Sequence, residues 1–152
     1  MTSQKIDEVM ELQFNLLNLI HKNFSKVFHE IEDGPYTLNK NQKKAIMIIG
    51  AKGEIIPSAL GKYLDLQKGS LTSMIDTLEK EALICRRRDP QDRRKILISL
   101  TEKGREYRDW LIAEVQRILS RVLEKLNEAE INSYEESLKN LIESIQKLDE
   151  RN

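Results

Sequence analysis

DPQDRRKILISLTEKG, residues 89–104, is the stretch whose reading decides the fold. Asp89, Pro90, Gln91 and Asp92 supply turn chemistry: proline fixes φ, and aspartate side chains bond their own backbone. Arg93, Arg94 and Lys95 then crowd positive charge onto the bend. Ile96, Ile98 and Leu100 alternate with Leu97 and Ser99, which is the period of a strand with one buried face. Thr101 is placed to cap a following helix, with Glu102 favourable at its positive end. Just upstream, LICRRR (residues 83–88) is also strand-like, so the stretch reads as a charged hairpin that runs straight into a helix.

Working backwards, Pro57 suits the first turn of a helix carrying Leu60 and Leu64, and DLQKG (65–69) interrupts it. A second short helix begins near Gln67. Its apolar positions Leu71, Met74, Ile75 and Leu78 recur three and four apart, leaving Lys68, Gly69, Thr72, Ser73 and Asp76 on the outer face. Two short helices joined by a tight turn and followed at once by a hairpin make a winged helix-turn-helix. That geometry presents the second helix to a major groove and the hairpin tip to the adjacent backbone and minor groove.

Working outwards, apolar residues from Ile6 to Ile31 predict one long helix, stopped by DGPY (33–36). Asn39 with Gln42 forms a capping-box pattern for a helix to about Gly53, and Glu54–Ile56 is a candidate minor strand. Beyond Thr101 a stripe of Leu111, Val115, Ile118, Leu119, Val122 and Leu126 runs to NEAE (127–130). There Asn127 and Glu130 repeat the capping box. Ile131, Tyr134, Leu138, Leu141, Ile142, Ile145 and Leu148 make the last stripe. Three terminal helices with broad apolar faces in so short a chain are most economically buried by a second copy. The expected fold is mainly α with a small β-hairpin wing (α+β): a winged helix-turn-helix with N- and C-terminal dimerisation helices. Its parts are residues 1–36, 37–100 and 101–152, in one intertwined unit.

Composition agrees. Of 152 residues 39% are hydrophobic, 33% charged and 5% aromatic, a mixture that suits solvent-faced helices. A lone cysteine, Cys85, rules out an internal disulfide framework, and no apolar run reaches membrane-spanning length, so a reducing, cytoplasmic setting is expected. The zero net charge hides an asymmetry: residues 62–104 carry ten basic and seven acidic side chains, and residues 105–152 eight and eleven. Within 84–95, Arg86, Arg87, Arg88, Arg93, Arg94 and Lys95 face only Asp89 and Asp92. A polyanion would be met there. No phosphate loop, dinucleotide fingerprint or HExxH pattern is present, so neither an enzyme nor a cofactor is expected. His21 and His29, eight residues apart, would lie about 12 Å apart on one helix and share no metal by themselves. The alternatives are a helical protein-interaction module, and a redox-sensing regulator in which the three arginines after Cys85 lower its thiol pKa.

The wing stretch, with LGKYLDLQKGSLTSMIDTLEKEALICR (60–86) before it, resembles the MarR (multiple antibiotic resistance repressor) family of winged-helix regulators. One departure is Ala82, where that family usually carries glycine between recognition helix and wing. The resemblance implies a homodimer that binds double-stranded DNA as a repressor and is released by a small, often aromatic, effector. Arg94, with Arg93, is the candidate for the minor groove, because a guanidinium suits its enhanced negative potential. Gln67, Lys68, Ser70, Thr72 and Ser73 are candidates on the recognition helix. Arg86, Arg88 and Lys95 are further DNA-binding candidates, Lys95 together with Lys62 as phosphate contacts. Asp89 and Asp92 are read as wing-stabilising, by orienting arginines or by capping the turn. Family geometry places an effector cleft near His21, Phe24, Phe28, Tyr107 and Trp110. A two-fold dimer implies a pseudo-palindromic operator of roughly 16–20 base pairs.

Overall fold

The computed structural model describes residues 2–24, 27–31 and 34–149, without the side chains of Phe28, His29 and Asp149. Its elements run α1 (Ser3–Phe24), α2 (Val27–Glu30), α3 (Lys40–Lys52), β1 (Glu54–Ile55), α4 (Pro57–Leu64), α5 (Lys68–Lys80), β2 (Ile84–Arg88), β3 (Ile96–Leu100), α6 (Glu102–Leu123) and α7 (Glu128–Asp149). They fall into two compact units, 1–116 and 117–152, with α6 continuous across the division. No described helix is long and apolar enough to cross a membrane.

Local signals set most boundaries. At the start of α3 the Asn39 side chain accepts from the Gln42 N–H at 3.0 Å, and the Gln42 side chain accepts from the Asn39 N–H at 2.8 Å. Asn127 and Glu130 repeat the arrangement before α7. Pro57 sits in the first turn of α4, where a missing N–H costs nothing. The expected single helix from Ile6 to Ile31 is instead described as α1 and the short α2, with residues 25 and 26 between them outside the described set. Near the end of α1 the Asn23 side-chain amide donates to the Leu19 carbonyl at 2.8 Å. That bond competes for the acceptor on which the helix backbone relies.

The core belongs to the winged helix. Ile46 and Ile49 of α3, Leu60 of α4, Leu78 of α5, Ile98 of β3 and Leu111 of α6 are fully enclosed. Each such side chain contributes about 1.5–3 kcal/mol relative to exposure. The strands form one antiparallel sheet in the order β1-β3-β2, with Glu54 opposite Ser99 and Arg88 opposite Ile96. α3 packs on α4 and β3, and α5 packs on α4 and β2, so the second helix of the pair is seated directly against the hairpin. Lys43 is buried, its ammonium donating to the Ile31 carbonyl at 3.0 Å, which ties α3 to the segment before it.

Each long terminal helix, taken by itself, leaves its apolar side bare. No residue of α1 is buried, and Leu12, Phe14 and Leu17 are each more than 60% exposed. On α7, Leu138, Leu141, Ile142, Ile145 and Leu148 are exposed along one stripe.

Candidate nucleic-acid interface

Helix α5 ends in a way that fixes where the wing begins. The Leu83 N–H donates to the Leu78 carbonyl and the Ala82 N–H to the Glu79 carbonyl, the paired bonds of a Schellman cap. Ala82 occupies the left-handed position at φ 57°, and Leu78 and Leu83 close the cap as a buried pair. Alanine therefore adopts the conformation for which glycine is usual.

The first turn of α6 takes the carbonyls that this exit leaves over. The Thr101 N–H donates to Leu83 O, the Thr101 hydroxyl to Ala82 O at 2.6 Å, and the Lys103 ammonium to Glu81 O at 2.9 Å. Thr101 also accepts from the Gly104 N–H at 3.0 Å, as its place before α6 predicts. A Cβ on Gly104 would overlap the Leu83 carbonyl oxygen. Four residues of the LTEKG run therefore have a job: Leu100 enters the core, Thr101 caps, Lys103 bonds, and Gly104 permits the approach.

At the hairpin tip the two aspartates cap the turn. Asp89 accepts from the Gln91 N–H at 2.8 Å, and Asp92 accepts from the Arg94 N–H at 3.1 Å and the Arg94 Nε at 3.4 Å. The Asp89 N–H donates to Lys95 O, closing the loop. The side chain of Arg94 stays 94% exposed, and Arg88, Arg93 and Lys95 are exposed beside it. Arg86 faces the other way: its carboxylate partners are Asp76 and Glu79 of α5, not the turn aspartates. The bond it donates to Asp76 holds the Arg86 guanidinium above its usual pKa; partial burial opposes this and Glu79 reinforces it. Arg87 grips Glu54 of β1 through two bonds of 2.7 and 2.6 Å.

Along α5, Lys68, Gly69, Thr72, Ser73, Asp76, Thr77 and Lys80 line an open groove. Lys68, Thr72 and Ser73 were expected on this face; Gln67 and Ser70 are exposed but lie outside that lining. Thr77 and Lys80 continue the spacing of four from Ser73 and Asp76, a signal already present in the sequence. The Thr72 and Thr77 hydroxyls donate to the Lys68 and Ser73 carbonyls, leaving their oxygens to accept. Lys62 borders a second groove between α4 and α5.

Of the five residues expected around an effector, Tyr107 and Trp110 are brought together, ring centroids 5.3 Å apart. Tyr36, which sequence reasoning missed, meets Tyr107 edge-on at 5.5 Å and carries the Lys103 ammonium over its ring. Phe24 is half-buried, His21 is exposed on α1, and the Phe28 side chain lies outside the described set. Cys85 is exposed on β2 with Sγ 3.3 Å from the Ser99 hydroxyl. Among the described residues no cluster of His, Cys, Asp or Glu could hold a metal ion.

The sequence profile of the MarR family matches residues 38–96. The HTH-type transcriptional regulator YhbI of Bacillus subtilis (strain 168) is 30% identical over 140 residues, covering 92% of this chain and 88% of its own length. Among solved structures, apo MarR from E. coli superposes with a TM-score of 0.72 at 25% identity, covering 84% of this chain and 93% of that one. FabT of Streptococcus pneumoniae, solved in complex with DNA, superposes with a TM-score of 0.60 at 25% identity, covering 97% and 99%. Family profile, sequence relative and solved structures agree, and the chain belongs to the MarR family of transcriptional regulators.

Proposed function

We propose that the protein is a homodimeric repressor, acting in the cytoplasm, that binds a pseudo-palindromic DNA operator and leaves it when a small aromatic effector binds. The observation that carries the DNA-binding part is the wing tip. Asp89 and Asp92 lock the turn backbone while the Arg94 guanidinium stands 94% exposed, and α5 carries an open groove of its own. A rigid loop presenting a solvated arginine suits a narrow minor groove. In this reading Lys68, Thr72 and Ser73 face the major groove with Gln67 and Ser70 at the helix entry, Lys62 and Lys95 meet phosphates, and Arg88 and Arg93 flank Arg94. Residues 37–100 form the DNA-binding lobe, and residues 1–36 and 101–152 serve dimerisation. The Tyr36, Tyr107 and Trp110 rings offer one wall for a flat effector, with Lys103 for its charge.

Fluorescence anisotropy against duplex from the region upstream of its own gene, at two salt concentrations, tests the reading. Wild type is expected to bind tightly and salt-sensitively, and Arg94→Ala to weaken binding by on the order of tenfold, as loss of a charged minor-groove contact should. Absence of salt-dependent binding by the wild type at low salt would sink the proposal.

A further inference from the structure

The six basic side chains of the hairpin do not share one role. Arg86 and Arg87 are consecutive on β2 and so project to opposite faces of the sheet. On one face Arg86 reaches α5, donating to Glu79 at 2.6 Å and to Asp76. On the other, Arg87 crosses β3 to hold both carboxylate oxygens of Glu54 in the fork geometry that makes such pairs strong. By contrast, the side chains of Arg88 and Arg93 have no hydrogen bond or ion pair among the described residues, and the Lys95 ammonium stands 4.0 Å from Asp92.

Asp76 lines the α5 groove, where an uncompensated carboxylate would repel phosphate. Arg86 neutralises it and in the same bond fastens the wing root to the recognition helix. Were Arg86 to grip a phosphate instead, two carboxylates would be left unpaired, one of them, Asp76, in the α5 groove.

We propose that Arg86 and Arg87 are positioning residues, a pair of clasps that set the wing's angle to the recognition helix before DNA is met, while Arg88, Arg93, Arg94 and Lys95 carry the contact. The proposal rests on the DNA-binding reading, and it has a DNA-free consequence of its own.

The test uses the full-length protein and the variants Arg86→Gln, Asp76→Asn and the two combined. Amide hydrogen exchange of β2 and β3 without DNA is expected to quicken several-fold in each variant. In anisotropy titrations across a salt series, Arg86→Gln should weaken binding on the order of tenfold, with an unchanged slope of log K against log salt. Asp76→Asn should weaken it too, although it removes a negative charge, and the double variant should be no worse than Arg86→Gln alone. A slope flattened by about one, with tighter binding by Asp76→Asn, would make Arg86 a phosphate contact and overturn the proposal. Unchanged exchange and unchanged affinity would overturn it equally. If wild type binds no DNA while exchange still quickens, the regulator reading fails and the clasp stands as wing anchorage alone. Should Arg86→Gln not fold, Asp76→Asn, which alters an exposed side chain, still decides between the outcomes.

Discussion

Ala82 shows how one side chain can sit against its backbone's preference. Left-handed φ costs a residue with a Cβ roughly 1–2 kcal/mol, yet the cap bonds of Leu83 and Ala82 and the buried Leu78–Leu83 pair hold the position. Ala82→Gly is therefore expected to raise stability by about 1 kcal/mol, read as a higher midpoint in thermal or urea unfolding. A lower midpoint would show that the strain is relieved in some other way. The sequence flagged this position because the glycine usual in the resembling family is missing. The partners of Arg86 and Arg87 were not legible at all. They lie ten, seven and thirty-three residues away, and only the assembled sheet brings Asp76, Glu79 and Glu54 to them.

At the level of elements, what could be read was what is local. Both capping boxes, Pro57 in a first turn, the Thr101 cap and the alternation of β3 are decided within a few residues, and each appears in the structure where its pattern put it. Tertiary proximity was not readable: Tyr36 meets Tyr107 across seventy residues, and nothing in the periodicity says so. Gly104 lies between these cases, a motif residue whose reason appears only once α6 is seen against the Leu83 carbonyl. Gly104→Ala must push that backbone aside, and overpacking of this kind costs on the order of 1–3 kcal/mol. Chemical denaturation is expected to show that loss; an unchanged midpoint would mean that α6 can shift freely at its start.

For the molecule as a whole, the question is what covers α1 and α7. Leaving Leu12, Phe14 and Leu17 on one helix and Leu141, Ile142 and Ile145 on the other in water forgoes stabilisation that a second copy can supply. Wild type is expected to sediment as two chains of 17.7 kDa each. Ile142→Glu, which sets a charge into the stripe, should shift it toward one chain at micromolar concentration and weaken operator binding with it. Two chains in the variant would remove α7 from the interface, and one chain in the wild type would remove the dimer altogether.

The junction between α5 and α6 has a mechanical consequence. The carbonyls of Glu81, Ala82 and Leu83, three in succession, are all held by two residues at the start of α6, Thr101 and Lys103, with a bare glycine as the bearing surface. Such a joint has almost no slack. The bonds cross from one helix to the other within the first turn of α6, so neither helix end can move far without the other. α5 and α6 are coupled at this joint, so a displacement of the first turn of α6 must either carry the exit of α5 with it or break the bonds between them.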